Sequence, residues 1–180
     1  MESEGVSKRA AGPPPDRNIT LIGMPGAGKS TVGVVLAKKL SFAFVDTDIL
    51  IQARQGRSLQ HILDTDGYKV LRHIEEEEIL QLEVVNSVIA TGGSAVYSHK
   101  AMEHLQRIST LVFLDLPYAE ICRRIHDFES RGIACAPQQS FEELYAERLL
   151  LYRKYANLTL NNPTATQDEV ADSIIAYLQR

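Results

Sequence analysis

The chain has 180 residues, of which 44% are hydrophobic and 23% are charged, and it carries a formal net charge of −4. This length and composition favour one globular domain, and no apolar run approaches the roughly 18 residues that a membrane-spanning helix needs. The acidic charge balance argues against a nucleic-acid partner, which would require a basic face.

The N-terminal segment, residues 1–17, contains glycine, charged residues and a proline triplet, but it lacks the apolar centre of a secretion signal. We therefore expect a disordered tail there, followed by a single domain over residues 18–180. Cys122 and Cys135 show neither metal-ligand nor redox spacing. This usage of cysteine is typical of a reduced protein of the cytoplasm.

After this tail, short apolar or β-branched runs alternate with longer segments of helical period. The runs lie at 18–22, 42–46, 87–90, 110–115 and 157–160. The helical segments lie at 29–40, 58–84 with a break near a turn signal, 98–106, 117–126, 140–156 and 167–179. The alternation predicts an α/β fold of three layers, with a five-stranded parallel sheet and helices on both faces. Residues 127–139 contain glycine and proline without a clear period, so we expect a mobile lid there.

The stretch GMPGAGKST, residues 23–31, fits the pattern G-x-x-x-x-G-K-[ST] between a predicted strand and a predicted helix. Glycines in this loop let the backbone curl so that its N–H groups face an anion at the start of the helix. Lys29 is expected to reach the β and γ phosphates, and the Ser30 hydroxyl is expected to contact Mg²⁺. The predicted contacts with the nucleotide, which we take to be ATP, are made by Gly26, Ala27, Gly28, Lys29, Ser30 and Thr31.

Two carboxylates follow the second predicted strand. Asp46 and Asp48 lie two positions apart, and on an extended segment they would project to the same face. One of them could hold Mg²⁺ and the other could orient or deprotonate an attacking hydroxyl. Solvated carboxylates at a strand end are the alternative interpretation of this pair.

An absent motif argues against some classes of nucleotide-binding protein, and the residues that are present argue against another. It has no guanine-reading N-K-x-D, and motor proteins are usually longer. A regulatory module without catalysis is the remaining rival, but such a module would be expected to lose Lys29, Ser30, Asp46 or Asp48. Because all four are present, we favour phosphoryl transfer to a small molecule.

Five stretches occur in a characteristic order: the phosphate loop, DTD, LRHIE, ATGGSAV and ERLLLYRKYA. With these stretches the chain resembles the shikimate kinases, which have the fold of nucleoside-monophosphate kinases, from about Asn18 to the C-terminus. The resemblance implies that Lys29 contacts the transferring phosphate, that Ser30 and Asp46 bind magnesium, and that Asp48 contacts the acceptor hydroxyl.

The same resemblance assigns the acceptor and base contacts. It implies that Arg72 and Arg153 bind an acceptor carboxylate, and that Gly92 and Gly93 bring backbone against the acceptor. A pair between Arg72 and Glu75, three residues apart on a helix, could hold that arginine in position. Further residues implied at the site are the lid arginine Arg131, Arg124 against adenine, and Pro163 in the 161–165 loop behind the base. The fold needs no partner to complete this site, so we expect a monomer.

The chain departs from the family pattern only on the acceptor side. The third glycine of the family is Ser94 here, two ring-packing phenylalanines correspond to Leu63 and Leu71, and the lid reads GIA at 132–134. Fewer aromatic groups and an added hydroxyl suit a smaller, more polar acceptor. We therefore rank L-homoserine above shikimate, with shikimate as the alternative if these changes are drift. A nucleoside-monophosphate kinase is a third, disfavoured option.

Overall fold

The computed structural model describes residues 17–125, 132–136 and 138–179. The predicted tail before residue 17, the proposed lid arginine Arg131 and the lid residues 127–130 and 137 therefore lie outside the described residues. Among the described residues, no helix is long and apolar enough to cross a membrane.

Five strands form one parallel sheet: β1 (Asn18–Ile22), β2 (Ala43–Asp46), β3 (Ser87–Ala90), β4 (Ser109–Leu114) and β5 (Leu158–Leu160). Their order across the sheet is β2-β3-β1-β4-β5, and Ile19 of β1 lies opposite Val88 of β3 and Thr110 of β4. The residues of β1 and β3 are buried throughout, because helices cover both faces of the sheet. The chain thus has the predicted three-layer α/β fold.

The described helices are α1 (Lys29–Leu40), α2 (Thr47–Gln55), α3 (Leu59–Asp66), α4 (Tyr68–Leu80), α5 (His99–Ile108), α6 (Tyr118–Arg124), α7 (Phe141–Tyr155) and α8 (Gln167–Leu178). A short 3₁₀ turn, Ala95–Tyr97, precedes α5. The predicted break inside 58–84 is confirmed at Gly67, whose φ of 85° lies outside helical geometry and separates α3 from α4.

The sequence did not predict α2, and this omission changes the geometry of the DTD stretch. Asp46 ends β2 and caps α2, because its side chain accepts hydrogen bonds from the backbone N–H groups of Asp48 and Ile49. Asp48 therefore lies in the first turn of a helix. The expectation that Asp46 and Asp48 share one face of an extended segment was wrong.

Two apolar clusters position the site. The main core surrounds the sheet, whereas a smaller cluster of Ile51, Ile62, Leu71 and Ala134 lies beneath α2, α3 and α4. The second cluster joins these helices to the segment 132–136, beside the carboxyl ends of β2 and β3. Open parallel sheets bind their ligands at this edge, where the strand order reverses direction.

Candidate active site

The phosphate loop connects β1 to α1 through glycines with left-handed backbone geometry. Gly26 has a φ of 80° and Gly28 has a φ of 93°, which side chains rarely adopt. The side chain of Lys29 folds back over the loop, and its Nζ donates to the carbonyl oxygens of Gly23 at 2.8 Å and Met24 at 2.9 Å. Phosphate oxygens would replace these carbonyls as partners of the ammonium group.

Burial shifts the protonation equilibrium of Lys29 toward the neutral amine. It lowers the pKa of the ammonium group to about 8, although the nearby carboxylates of Asp48 and Asp46 act in the opposite direction. Burial therefore destabilises the charged form of this lysine, and a bound polyphosphate would raise its pKa again.

Beside the lysine, Ser30 Oγ donates a hydrogen bond of 2.7 Å to Asp46 Oδ2. The loop, both aspartates and Thr91 line one cavity. Within the part of the chain that the structure describes, no group of three or more acidic, histidine or cysteine side chains surrounds a metal position. Mg²⁺ typically binds through one or two protein oxygens plus phosphates and water, so a hydroxyl and a carboxylate fit its requirements.

A second cavity, of about 320 Å³, lies between α1, α6 and the loop after β5. Arg124 lines it, and its Nη2 donates to the carbonyl oxygen of Pro163 at 3.2 Å. The structure therefore brings together Arg124 and the 161–165 loop, as the base-binding hypothesis requires. Gln167, which the sequence analysis did not identify, lines both this cavity and the phosphate cavity.

A third cavity, of about 70 Å³, lies on the acceptor side. Its polar wall consists of Lys29, Asp48, Glu75, Gly92, Gly93, Ser94 and Arg148, and its apolar wall consists of Pro25, Ile51, Leu59, Leu71, Ile133 and Ala134 with Gly132. Among the departures from the family pattern, Ser94, Leu71 and the segment 132–134 border this cavity. Leu63 does not; it packs against the smaller apolar cluster.

Two carboxylates crowd the floor of the acceptor cavity at Gly92. A β-carbon built on this glycine would overlap Glu75 Oε1 and would lie 2.7 Å from Asp48 Oδ1. Burial, reinforced by the charge of Asp46, raises the pKa of Asp48 to about 6. Burial, reinforced by the charge of Asp48, raises the pKa of Glu75 to about 7. Both groups therefore titrate close to neutral pH.

The sequence pattern suggested that Glu75 pairs with Arg72, but the structure shows other partners. Ser94 Oγ donates to Glu75 Oε2, while Arg72 lies against the ring of Tyr97, with its guanidinium carbon 3.6 Å from the ring centroid. Arg72 Nη2 also donates to the carbonyl oxygen of Ala134 at 3.3 Å. The ring and the carbonyl, rather than a carboxylate, hold this arginine.

Arg148 is the residue that the sequence analysis missed. It is 1% exposed, it lines the acceptor cavity, and its Nη2 donates to the same Ala134 carbonyl at 2.7 Å. Two guanidinium groups, from α4 and α7, thus converge on one carbonyl oxygen at the edge of the cavity. The signal for Arg148 was its place in the buried stripe of α7, which also contains Leu144, Tyr152 and Tyr155.

The assignment of Arg153 to the acceptor was wrong. Its side chain is 55% exposed and its Nη2 donates to Asp115 Oδ2 at 3.0 Å. Arg153 is five residues beyond Arg148, which places it about 140° away around a helix of 3.6 residues per turn. Only one of these two arginines can face the acceptor cavity, and in the structure it is Arg148.

Comparison with known proteins shows which family the chain resembles. The family model for shikimate kinase matches residues 25–179. Shikimate kinase from Paracidovorax citrulli is 38% identical over 152 residues, covering 82% of this chain and 83% of that protein. Shikimate kinase from Mycobacterium avium is 37% identical over 161 residues, covering 88% of this chain and 91% of that protein.

A solved structure of a shikimate kinase also resembles this chain. The structure of shikimate kinase from Acinetobacter baumannii, in complex with shikimate, superimposes with a TM-score of 0.84 at 28% identity, covering 91% of this chain and 93% of that one. None of these findings supports the expected preference for homoserine, and they favour the alternative of shikimate. The protein is an ATP-dependent phosphotransferase acting on a small molecule, and it belongs to the shikimate kinase family.

Proposed function

We propose that this enzyme transfers the γ-phosphoryl group of ATP to a hydroxyl of shikimate. The observation that carries the proposal is the convergence of Arg72 and Arg148 on the Ala134 carbonyl, at a cavity that Asp48 also lines. Paired guanidinium groups bind a carboxylate more strongly than a neutral carbonyl, because the hydrogen bonds are then charge-assisted. The acceptor would therefore present a carboxylate to the arginines and a hydroxyl to Asp48.

The size of the cavity indicates how the acceptor enters. A volume of about 70 Å³ is well below the roughly 300 Å³ at which ligand pockets of proteins begin. Movement of the segment 132–136 away from α4 and α7 would enlarge this cavity for a ring acid. Displacement of the Ala134 carbonyl by the acceptor carboxylate supplies a reason for that movement.

The residues on the acceptor side explain why the homoserine hypothesis loses its support. The hydroxyl of Ser94 donates to Glu75, so the added polar group already contacts a carboxyl group of the protein. Leu71, together with Ile51 and Leu59, keeps an apolar wall against which a ring can pack. Ser94 and Leu71 therefore do not require a smaller or more polar acceptor.

Chemistry at this site follows from the placement of the charged groups. The acceptor oxygen forms a bond to the γ phosphorus, the bond from that phosphorus to the bridging oxygen breaks, and ADP leaves. Asp48 orients the attacking hydroxyl and accepts its proton, and Lys29 neutralises charge on the phosphates. Mg²⁺, bound through Ser30 and Asp46, would add charge neutralisation on the phosphate oxygens. Arg131 remains the proposed lid arginine.

Two further predictions concern the oligomeric state and the cellular location of the enzyme. We propose that the enzyme acts as a monomer, because this fold needs no partner to complete its site. The cytoplasmic location stays a prediction from cysteine usage.

The test is release of ADP from Mg·ATP in three parallel reactions, with shikimate, with L-homoserine and without an acceptor. We expect strong stimulation by shikimate alone. Stimulation by homoserine alone would contradict the proposed acceptor, and absence of turnover with both would favour the regulatory module instead.

A further inference from the structure

The position of Ser94 in the acceptor cavity has a consequence for the neighbouring carboxyl group. Ser94 follows the two glycines after β3, and its φ of −96° and ψ of −3° are ordinary for a residue with a side chain. The residue is 8% exposed, and its hydroxyl donates to Glu75 Oε2. Among the described residues, this hydroxyl is the one hydrogen-bond partner of the Glu75 side chain.

The second oxygen of that carboxyl group has no hydrogen-bond partner in the part of the chain that the structure describes. Glu75 Oε1 is buried, and it lies over Gly92 beside Asp48 Oδ1. A buried acceptor without a hydrogen bond is costly, and such an atom in a cavity wall indicates that a ligand supplies the missing donor. The ligand at this point is the acceptor of the phosphoryl group.

We infer that Ser94 is a positioning residue for the acceptor: by donating to Glu75 Oε2, it keeps Glu75 Oε1 directed at the acceptor beside Asp48. The inference rests on the proposed function, since it concerns the same cavity. It also explains a departure from the family pattern, because glycine at this position has no hydroxyl to donate. The contact that Oε1 then makes is with a hydroxyl group of the acceptor.

Such a contact requires that Glu75 be ionised, because only the carboxylate accepts on both oxygens. The hydrogen bond from Ser94 favours the ionised form, against burial and against the charge of Asp48. The other titratable or charged groups that face Glu75 are Lys29 from α1, Arg148 and Tyr152 from α7, and Asp48 from α2. Loss of the hydroxyl therefore moves ionisation of Glu75 to higher pH.

The test compares Ser94→Ala, which removes only the hydroxyl, with Ser94→Gly, which also removes the β-carbon. For both variants we expect kcat/KM for shikimate at pH 7 to fall by about tenfold, as for loss of one hydrogen bond to a charged group. The acidic limb of the pH profile of that parameter should move to higher pH, while KM for ATP stays within about twofold of the wild-type value.

Ser98→Ala is the matched control. Ser98 also donates to a glutamate of α4, Glu76, at 2.5 Å, and it caps α5 by accepting from the N–H of Ala101. We expect this variant to lower the melting temperature without moving the pH profile. A purely structural role for Ser94 would give the same pattern, and an unchanged profile in Ser94→Ala would overturn the inference. Failure of the wild-type enzyme to use shikimate would instead overturn the proposed function.

Discussion

The phosphate-binding half and the acceptor half of this site are built in different ways. Consecutive residues of one loop, together with the first turn of α1, form the phosphate-binding part. The acceptor cavity instead collects side chains from α2, α4, the loop after β3, the segment 132–136 and α7. A contiguous motif fixes its own backbone geometry, whereas a dispersed site depends on how separate elements pack. The following variants test this contrast.

The largest effect is expected in the contiguous half, for Lys29→Met. The variant loses the ammonium group that would contact the phosphates, so we expect kcat to fall by about a thousandfold. Folding should be preserved, because methionine fills a similar volume and removes a buried charge whose pKa is lowered by desolvation. Turnover and thermal unfolding of the same preparation check both parts. Retention of turnover would contradict the phosphate-loop assignment.

The next largest effect is expected in the dispersed half, for Gly92→Ala. The new methyl group would displace the carboxylates of Glu75 and Asp48 together. We expect kcat/KM for shikimate to fall by about a hundredfold, since small displacements of catalytic groups cost this much. Nucleotide binding, measured by calorimetry with ADP, should be unchanged. Weaker binding of ADP would show that the two halves are not independent.

A smaller effect on stability is expected for Glu75→Gln. The folded state raises the pKa of Glu75 from its ordinary 4.5 to about 7, so the wild-type protein loses stability as pH rises through this interval. The neutral amide should remove that loss and stabilise the protein at pH 8 by about 3 kcal/mol relative to wild type. Denaturant unfolding at pH 5 and pH 8 measures the difference.

Glu77→Gln provides the control for this prediction, because Glu77 lies on the same helix but is exposed. Its Oε1 lies 3.5 Å from Nε2 of His73. The free energy of unfolding of Glu77→Gln, relative to that of wild type, should be the same at pH 5 and at pH 8. An equal gain in both variants would contradict the account of Glu75. Activity with shikimate should fall only in Glu75→Gln.

The smallest effect concerns the segment 132–136. Cys135 follows Ala134, is half-buried, and donates through Sγ to the carbonyl oxygen of Gln139 at 3.3 Å. If the acceptor displaces the Ala134 carbonyl, shikimate should raise the rate of thiol labelling at Cys135 by about twofold. Cys122→Ser removes the other thiol, which is exposed. An unchanged rate with saturating shikimate would contradict the proposed movement.

The same contrast explains what the sequence could predict. The five strands and the phosphate loop between β1 and α1 depend on local pattern, and they agree with the structure. Placement of Arg148 depends on which face of α7 packs against the sheet, and the family resemblance led to Arg153 instead. The capping of α2 by Asp46 was missed because β2 passes directly into that helix without a turn signal.

The proposed binding of the acceptor depends most on contact between its carboxylate and Arg148, rather than Arg153. Titration of shikimate into the wild-type protein, Arg148→Ala and Arg153→Ala, with circular dichroism to verify folding, measures this directly. We expect Arg148→Ala to weaken binding by about a hundredfold, as for loss of a charge-assisted pair, and Arg153→Ala to bind within about twofold of wild type. Weakened binding in Arg153→Ala with normal binding in Arg148→Ala would contradict the account.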